Sequence, residues 1–486
     1  MGMEAAMDIL KQVNDAIWGI PVITLIVAVG LYLSIKTGFA QLRLLPDSLR
    51  MLLQRIREPN NQSSFRALCT ALAATVGTGN IAGVAGAIAI GGPGSVFWMW
   101  VCAIFGMITK YAEALLSVRF RKRRESGEFC GGPMYIIEKG LGKRWHPLAV
   151  CYSLFGVIAA YGIGNATQVN AVVGSAATAV EFLNGNTTKL GNLLIGIILA
   201  ATAVVALKGG SRRVGEITEL LVPTAAAVYL VLCLGALLCH WQSIPSALNQ
   251  ILCGAFTPHA VTGGAIGSCA QALRVGAARG VFTNEAGMGT AAIAHGTANV
   301  KHPAQQGLMG IIEVFLDTIV ICTMTALVIL TSGVLIPYGV DEGAALTSRA
   351  FACTYGPWIS IPIALFLAVF AFATILGWGF YGLQCIEFLF GKRAGSPYIL
   401  MMGIVTLLST FVKTGDIWVI SELVNGLMAI PNLIAVALLS GTVTQLTWDF
   451  IQGEHRTQAS GKNLPEGNRW RRVRCRGRGS QESFHR

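Results

Sequence analysis

Apolar runs separated by short polar segments recur along the whole chain. About 20 apolar residues cross a bilayer as a helix. By that unit the sequence predicts eleven spans, at residues 15–35, 65–90, 95–118, 147–183, 190–207, 216–239, 268–298, 304–331, 350–390, 397–412 and 416–446. The 147–183 and 350–390 runs exceed one crossing, so part of each is expected to tilt strongly or lie outside the hydrocarbon. The stretch from Phe65 to Gly94 does not read as one continuous helix. Its middle runs Ala73-Ala74-Thr75-Val76-Gly77-Thr78-Gly79-Asn80. Glycine costs about 1 kcal/mol against alanine in a helix, and Thr and Asn side chains compete for backbone partners. In hydrocarbon, unwound backbone is tolerated only where protein or a water-filled cavity surrounds it. The pattern therefore predicts two half-helices meeting near Val76 to Asn80.

A second irregular centre, Arg279-Gly280-Val281-Phe282-Thr283-Asn284-Glu285-Ala286-Gly287-Met288-Gly289-Thr290, lies in the 268–298 span. Small residues also serve tight helix packing, but the two interruptions occupy matching places, in span two and span seven. Five spans per repeat, an odd number, invert the second repeat. Paired broken spans in inverted halves are the sequence pointer to a transporter's central site. The break exposes N–H groups at a positive dipole end, which suit a carboxylate, and carbonyls, which suit a small cation.

Composition agrees with a membrane protein: of 486 residues, 53% are hydrophobic and 12% charged, against about 25% charged in soluble chains. The run from Ala16 to Ile35 follows Glu4, Asp8, Lys11 and Asp15 rather than a basic segment, and no small-residue cleavage site follows it. It reads as a retained helix and not a signal peptide. With Phe65 placed on the cytoplasmic side, 29 of the 36 Lys and Arg residues fall on inside segments, as the positive-inside rule requires. The N-terminus is then outside and the C-terminus cytoplasmic, and the net charge of +12 needs no nucleic-acid partner. The run Arg469-Trp470-Arg471-Arg472-Val473-Arg474-Cys475-Arg476 reads as a solvated, disordered tail. The twelve cysteines form no CxxC pair and read as buried apolar groups. The histidines show no ligand spacing. No nucleophile, transition-metal cluster or phosphate loop points to an enzyme, and no cofactor is expected. A channel would need a continuous polar pore, whereas the polar residues here gather at two breaks.

These residues resemble the alanine/glycine:cation symporters, also called sodium:alanine symporters. The resemblance rests on residues 67–83 around Ala74-Thr75-Val76-Gly77-Thr78-Gly79-Asn80, on Gly91-Gly92-Pro93-Gly94, on Gly131-Gly132-Pro133-Met134-Tyr135 with Gly140-Leu141-Gly142, on Thr283-Asn284-Glu285-Ala286-Gly287-Met288-Gly289 and on residues 317–323. It runs from about Trp18 to Trp448. It implies an all-α, leucine-transporter-like fold of about 11 transmembrane helices. Residues 1–64 would hold one extra helix and a loop, 65–240 and 268–446 the two inverted five-helix repeats, 241–267 an extracellular loop, and 447–486 a basic tail. It also implies import of alanine, glycine or a similar small neutral amino acid coupled to sodium, in a bacterial cytoplasmic (inner) membrane.

The expected substrate site comprises Thr75, Gly77, Thr78, Gly79 and Asn80 at the first break, Gln168 on the fourth span, Phe282 at the second break, and Thr374 with Trp378. The last two lie four apart and share a helix face; Trp378 is expected to close the pocket over a short side chain. Gly79 is expected to let the backbone approach the substrate carboxylate. Sodium, a hard cation, prefers oxygen ligands, here carbonyls at Ala74 to Gly77 plus Thr374. The runner-up is a proton-coupled carrier on the same fold, which needs an intramembrane acid such as Glu285, Glu313 or Asp317. Glu313 and Asp317, with Lys110 and Glu113 nearby, read as one structural charge network, and Glu285 as a cap for freed N–H groups. A protein that binds amino acid and signals without flux is a further alternative, separable by whether substrate accumulates.

Overall fold

The computed structural model describes residues 9–459 apart from residues 11, 15–16, 18–19, 58–61, 126, 183–188, 258–268 and 412–413. The helices are α1 (Ile20–Thr37), α2 (Leu45–Arg57), α3 (Gln62–Thr75), α4 (Gly79–Gly91), α5 (Gly94–Phe120), α6 (Lys143–Ala177), α7 (Lys189–Lys208), α8 (Gly210–Cys239) and α9 (Ile244–Phe256). They continue as α10 (Cys269–Asn284), α11 (Thr290–His295), α12 (Pro303–Thr331), α13 (Ala344–Tyr355), α14 (Ser360–Phe390), α15 (Gly395–Ser409), α16 (Thr414–Leu438) and α17 (Ser440–Ala459). A short antiparallel ribbon, β1 (Lys122–Arg123) with β2 (Phe129–Cys130), follows α5.

Among the described residues, six helices are long and apolar enough to cross a membrane, and two bent pairs pass the same test together. The bent pairs are α3 with α4, at 49°, and α16 with α17, at 59°. Length and apolarity thus give six to eight crossings against the eleven read from sequence. The difference lies in short or interrupted segments: α1, α15, and α10 with α11.

Three stretches differ from the sequence reading. The 350–390 run is split at Gly356, whose φ of 86° ends α13 before α14 begins. Within residues 241–257, read as part of a loop, lies α9, which buries Ala247, Ile251 and Ala255 on one face. Residues 447–459, assigned to the tail, continue α17 because Phe450 and Ile451 find buried places and Trp448 sits under Arg43. The arginine-rich run at 469–476 lies outside the described residues.

Polarity is arranged for lipid. Leu194, Ile198 and Val205 of α7, Leu220 and Val231 of α8, and Leu400 and Leu408 of α15 are exposed. Lys110, Glu113, Glu313 and Asp317 are wholly buried. Ionisable groups inside a membrane protein face the interior and pair there. The basic segments meet one another at one end of the bundle: Arg66 pairs with Glu219 at 2.6 Å, Arg124 with Glu387, and Arg121 with the Ala298 carbonyl.

A cavity of about 620 Å³ is lined by Ala82 and Gly83 of α4, Thr167 of α6, Arg279 of α10 and Asp341. The segment between α12 and α14 borders it and is stitched to α4. Gly339 donates to the Ala89 carbonyl at 2.9 Å and the Thr347 hydroxyl to the Ile81 carbonyl at 3.0 Å. Toward α10 the same segment has the Asp341–Arg279 ion pair at 3.0 Å.

Candidate functional site

Helix α3 stops where its next ladder bond is diverted. Val76 still donates to the Leu72 carbonyl at 2.7 Å, but the Gly77 N–H turns to Asn80 Oδ1 at 2.9 Å. An asparagine side chain offers the backbone this alternative partner. The Ala73 carbonyl, four residues before Gly77, thereby loses its helical donor and receives the Thr374 hydroxyl of α14 at 3.0 Å. That hydroxyl also lies 3.0 Å from its own helix's Phe370 carbonyl.

Thr78 donates to Gln168 Oε1 at 3.1 Å. Gln168 is fixed in turn by the Ile163 carbonyl, which accepts from Gln168 Nε2 at 3.1 Å and from the Thr167 hydroxyl at 2.6 Å. Ile163 belongs to a π-helical turn, Gly162–Ala166, inside α6. The first turn of α4, Gly79–Gly83, is also π-helical. Such wide turns release carbonyls from the regular ladder and recur at functional sites.

The close backbone approach falls at Gly77 rather than at Gly79. A Cβ on Gly77 would lie 2.6 Å from Thr374 Oγ1, whereas one on Gly79 would meet Thr283 of α10 at an ordinary 3.6 Å. The break turns Gly77 toward α14 and α6, and the helical turn after it carries Gly79 round to α10. Thr75 spends its hydroxyl on the Ala71 and Leu72 carbonyls of its own helix, at 3.3 and 3.5 Å. Ala74 packs against Gly377 of α14. Phe282 is half-buried against the core that contains Ala74 and Trp378.

The second break has left-handed backbone at Glu285, Gly287 and Gly289, with φ of 55°, 92° and 77°. Its freed N–H groups are not capped by Glu285. Glu113 of α5 does this: its Oε1 accepts from the Gly287 and Gly289 N–H groups at 3.1 and 3.2 Å and from Asn432 Nδ2 at 2.6 Å. The Glu285 carboxylate is turned to α14 instead, accepting from the Trp378 indole N–H at 2.8 Å and the Thr290 hydroxyl at 2.6 Å. Trp378 is therefore a buried wall fastened to the second break.

Glu313 and Asp317, read as one charged set, bond to different partners. Phe315–Cys322 is π-helical, and its wider turn rotates Asp317 away from the face that an ordinary spacing of four would share with Glu313. Glu313 sits in a buried chain. It accepts from Lys110 Nζ at 2.9 Å and bonds His295 Nε2 at 3.0 Å; His295 Nδ1 meets Gln306 at 2.7 Å, and Ser64 donates to Gln306 at 2.6 Å. This chain ties α5, α12, α11 and α3 together. Asp317 instead accepts from Asn80 Nδ2 at 2.7 Å, at the first break. Among the described residues no group of three His, Cys, Asp or Glu could hold a metal ion.

Over residues 3–463 the chain matches the model of the sodium:alanine symporter family. The chain belongs to that family. An uncharacterized transporter of Haemophilus influenzae is 42% identical over 451 residues, covering 92% of this chain and 96% of the relative. The sodium/alanine symporter AgcS of Methanococcus maripaludis is 38% identical over 453 residues, covering 91% and 97%. A crystal structure of MhsT in complex with L-phenylalanine superposes with a TM-score of 0.52 at 13% identity, covering 79% of this chain and 97% of MhsT. The fold is thus leucine-transporter-like. Family membership makes the chain an integral membrane protein and a cation symporter for amino acids rather than an enzyme.

Of the expected site residues, the structure gathers Gly77, Thr78, Asn80, Gln168 and Thr374 around the first break. Ala73, Glu113, Asn432 and Asp317 with Thr318 complete the two breaks and were not foreseen in these places. Only Glu113 and Asp317 carried a signal, as carboxylates in apolar spans. Nothing local marks Ala73, whose carbonyl matters only because Asn80 captures the next donor.

Proposed function

We propose that this protein imports small neutral amino acids, alanine and glycine foremost, by sodium symport with alternating access. The observation that carries the reading is the Ala73 carbonyl, released from its helix and facing the Thr374 hydroxyl beside Gly77. Two oxygens so placed in a buried position suit a sodium ion, a hard cation satisfied by carbonyl and hydroxyl groups. The opening turn of α4, with Thr78, Gly79 and Asn80, offers its positive dipole end to the amino-acid carboxylate. Gln168 holds Thr78 in place, and Phe282 and Trp378 are the apolar walls on this side of the proposed site. The cavity that Thr167 lines is the way in, and the Lys110–Glu313–His295–Gln306–Ser64 chain closes the basic end. Its relative AgcS, a sodium/alanine symporter, supports this reading.

The test is uptake of labelled alanine into vesicles. An inward sodium gradient should drive accumulation, and a proton gradient without sodium should not. Uptake driven by protons alone would sink the sodium reading in favour of proton coupling through Asp317 or Glu285. Binding without accumulation would sink transport itself.

The same reading places eleven spans in a bacterial cytoplasmic membrane, as five plus five inverted spans after α1, with the N-terminus outside. It is supported by the alternation of 29 basic residues along the sequence. A reporter fused after Arg393 should be cytoplasmic, and a cysteine introduced in α9 should react with an impermeant reagent from outside. Outside labelling of the 121–131 ribbon would overturn this orientation.

A further inference from the structure

The hydrogen bonds of the two breaks run from opposite sides to one carboxylate. At the first break the Gly77 N–H donates to Asn80 Oδ1 at 2.9 Å, and Asn80 Nδ2 donates to Asp317 Oδ1 at 2.7 Å. At the second break the Ala286 N–H donates to Asn284 Oδ1 at 3.0 Å, and Asn284 Nδ2 to the Thr318 hydroxyl at 3.2 Å. Thr318 then donates to Asp317 Oδ2 at 2.8 Å. Each arm begins at a backbone N–H freed by a break, passes through one asparagine, and ends on its own oxygen of Asp317. The π-helical turn at Phe315–Cys322 presents the Asp317 carbonyl as well, which accepts from Asn80 Nδ2 at 3.1 Å. Asn80, Asn284, Asp317 and Thr318 are all buried to 1% exposure or less. In such surroundings a hydrogen bond is stronger than in water and an unmet partner is costly.

We propose that Asp317 is the positioning residue that couples the two breaks, so that the shape a ligand sets at one is transmitted to the other. This rests on the reading above, in which the cation lies beside Ala73 and Thr374 and the amino acid between the breaks. Asp317 touches neither. It fixes Asn80, which decides whether the Gly77 N–H leaves the Ala73 carbonyl to the Thr374 hydroxyl. Through Thr318 and Asn284 it fixes the backbone just before Gly287. Cation binding that draws on the Ala73 carbonyl therefore stabilises one arm, and the shared carboxylate holds the other arm in register. Only a chain with two discrete arrangements transmits coupling in this way. The structure holds one arrangement, the Gly77 N–H on Asn80; the other arrangement of this proposal returns it to the Ala73 carbonyl.

The experiment is equilibrium binding of labelled alanine to the purified full-length protein, at low and at saturating sodium with ionic strength held constant. The ratio of the two dissociation constants is the coupling, and linkage makes alanine shift sodium affinity by the same factor. Wild type is expected to show a ratio of about 5- to 150-fold, the usual range for coupled sites. Thr318→Val cuts the arm to Asn284 and leaves the Asn80 arm intact. It should lower the ratio toward one by weakening alanine binding at saturating sodium, while alanine affinity at low sodium changes little. Thr318→Ser, which keeps the hydroxyl, should restore the ratio. Asp317→Asn sets an amide N–H₂ against one of two incoming donors and should lower the ratio further. A merely structural role would lower thermal stability and leave the ratio unchanged. A wild-type ratio that survives both Thr318→Val and Asp317→Asn would overturn this proposal alone. So would loss of sodium binding at every alanine concentration in Asp317→Asn, which would make Asp317 a direct ligand. Wild type with no sodium shift would overturn the sodium reading and, with no coupling to carry, this proposal with it.

Discussion

Gly77→Ala is expected to cut sodium-driven uptake sharply while the protein still reaches the membrane. The added Cβ would lie 2.6 Å from Thr374 Oγ1, well inside contact distance. Thr374 can yield only by swinging its hydroxyl off the Ala73 carbonyl, which it meets at 3.0 Å. Otherwise the loop moves, and Gly77 leaves Asn80. Overpacking of this kind costs about 1–3 kcal/mol, and here the strain falls on groups proposed to hold ion and substrate. Uptake at subsaturating sodium should therefore drop by roughly 5- to 150-fold, as 1.4 kcal/mol is tenfold. The span stays apolar, so insertion should survive. Gly441→Ala in α17 is the control, because a Cβ there would meet nothing within 4 Å, and it should retain most uptake. Equal loss in both variants, with equal membrane abundance, would show that crowding against Thr374 is not the cause.

Thr374→Val should raise the sodium concentration needed for half-maximal uptake by a similar factor. The substitution keeps the shape and removes the oxygen that faces the Ala73 carbonyl. An unmatched buried polar contact costs about 1–3 kcal/mol, and linkage passes part of the loss to the amino acid. The deficit should shrink once sodium is saturating, since the pocket wall is intact. Thr374→Ser should behave nearly as wild type. A sodium dependence unchanged in Thr374→Val would move the ion elsewhere, with Asp317 the first place to look.

Much of this arrangement was legible along the chain because membrane segments must advertise their irregularities. Gly77, Thr78, Gly79 and Asn80 could not continue a helix in lipid, and the structure ends α3 at Thr75. Thr374 stood out as a lone hydroxyl on an apolar face, and the family resemblance pointed to Gln168 among the polar neighbours Asn165, Thr167 and Asn170; both contact the first break. What stayed hidden depends on rotation about helix axes. Glu285 lies inside the second break, so its use as a cap looked natural. Its side chain is turned to Trp378, and the cap comes from Glu113, which is 174 positions from Gly287. Glu313 and Asp317 share a face under α-helical spacing, but the wide turn at Phe315–Cys322 sends them to different partners. Sequence spacing assumes one period for a whole helix. A single π-helical turn changes the period without changing the composition.

The segment at the mouth of the cavity has one further consequence, for how sodium titrations are read. It is bound to α4 by hydrogen bonds, and to α10 through the partly exposed Asp341–Arg279 pair. Exposed ion pairs are weak and are screened by salt, with a Debye length of about 8 Å near physiological ionic strength and about 3 Å at 1 M. Sodium chloride would then act twice, filling the ion site and loosening the latch over the entrance. A titration without a compensating inert salt would fold the second effect into an apparent ion affinity. With choline chloride holding the total constant, Asp341→Asn should leave the sodium midpoint unchanged. In the uncompensated series the same variant should flatten whatever part of the curve belongs to the entrance.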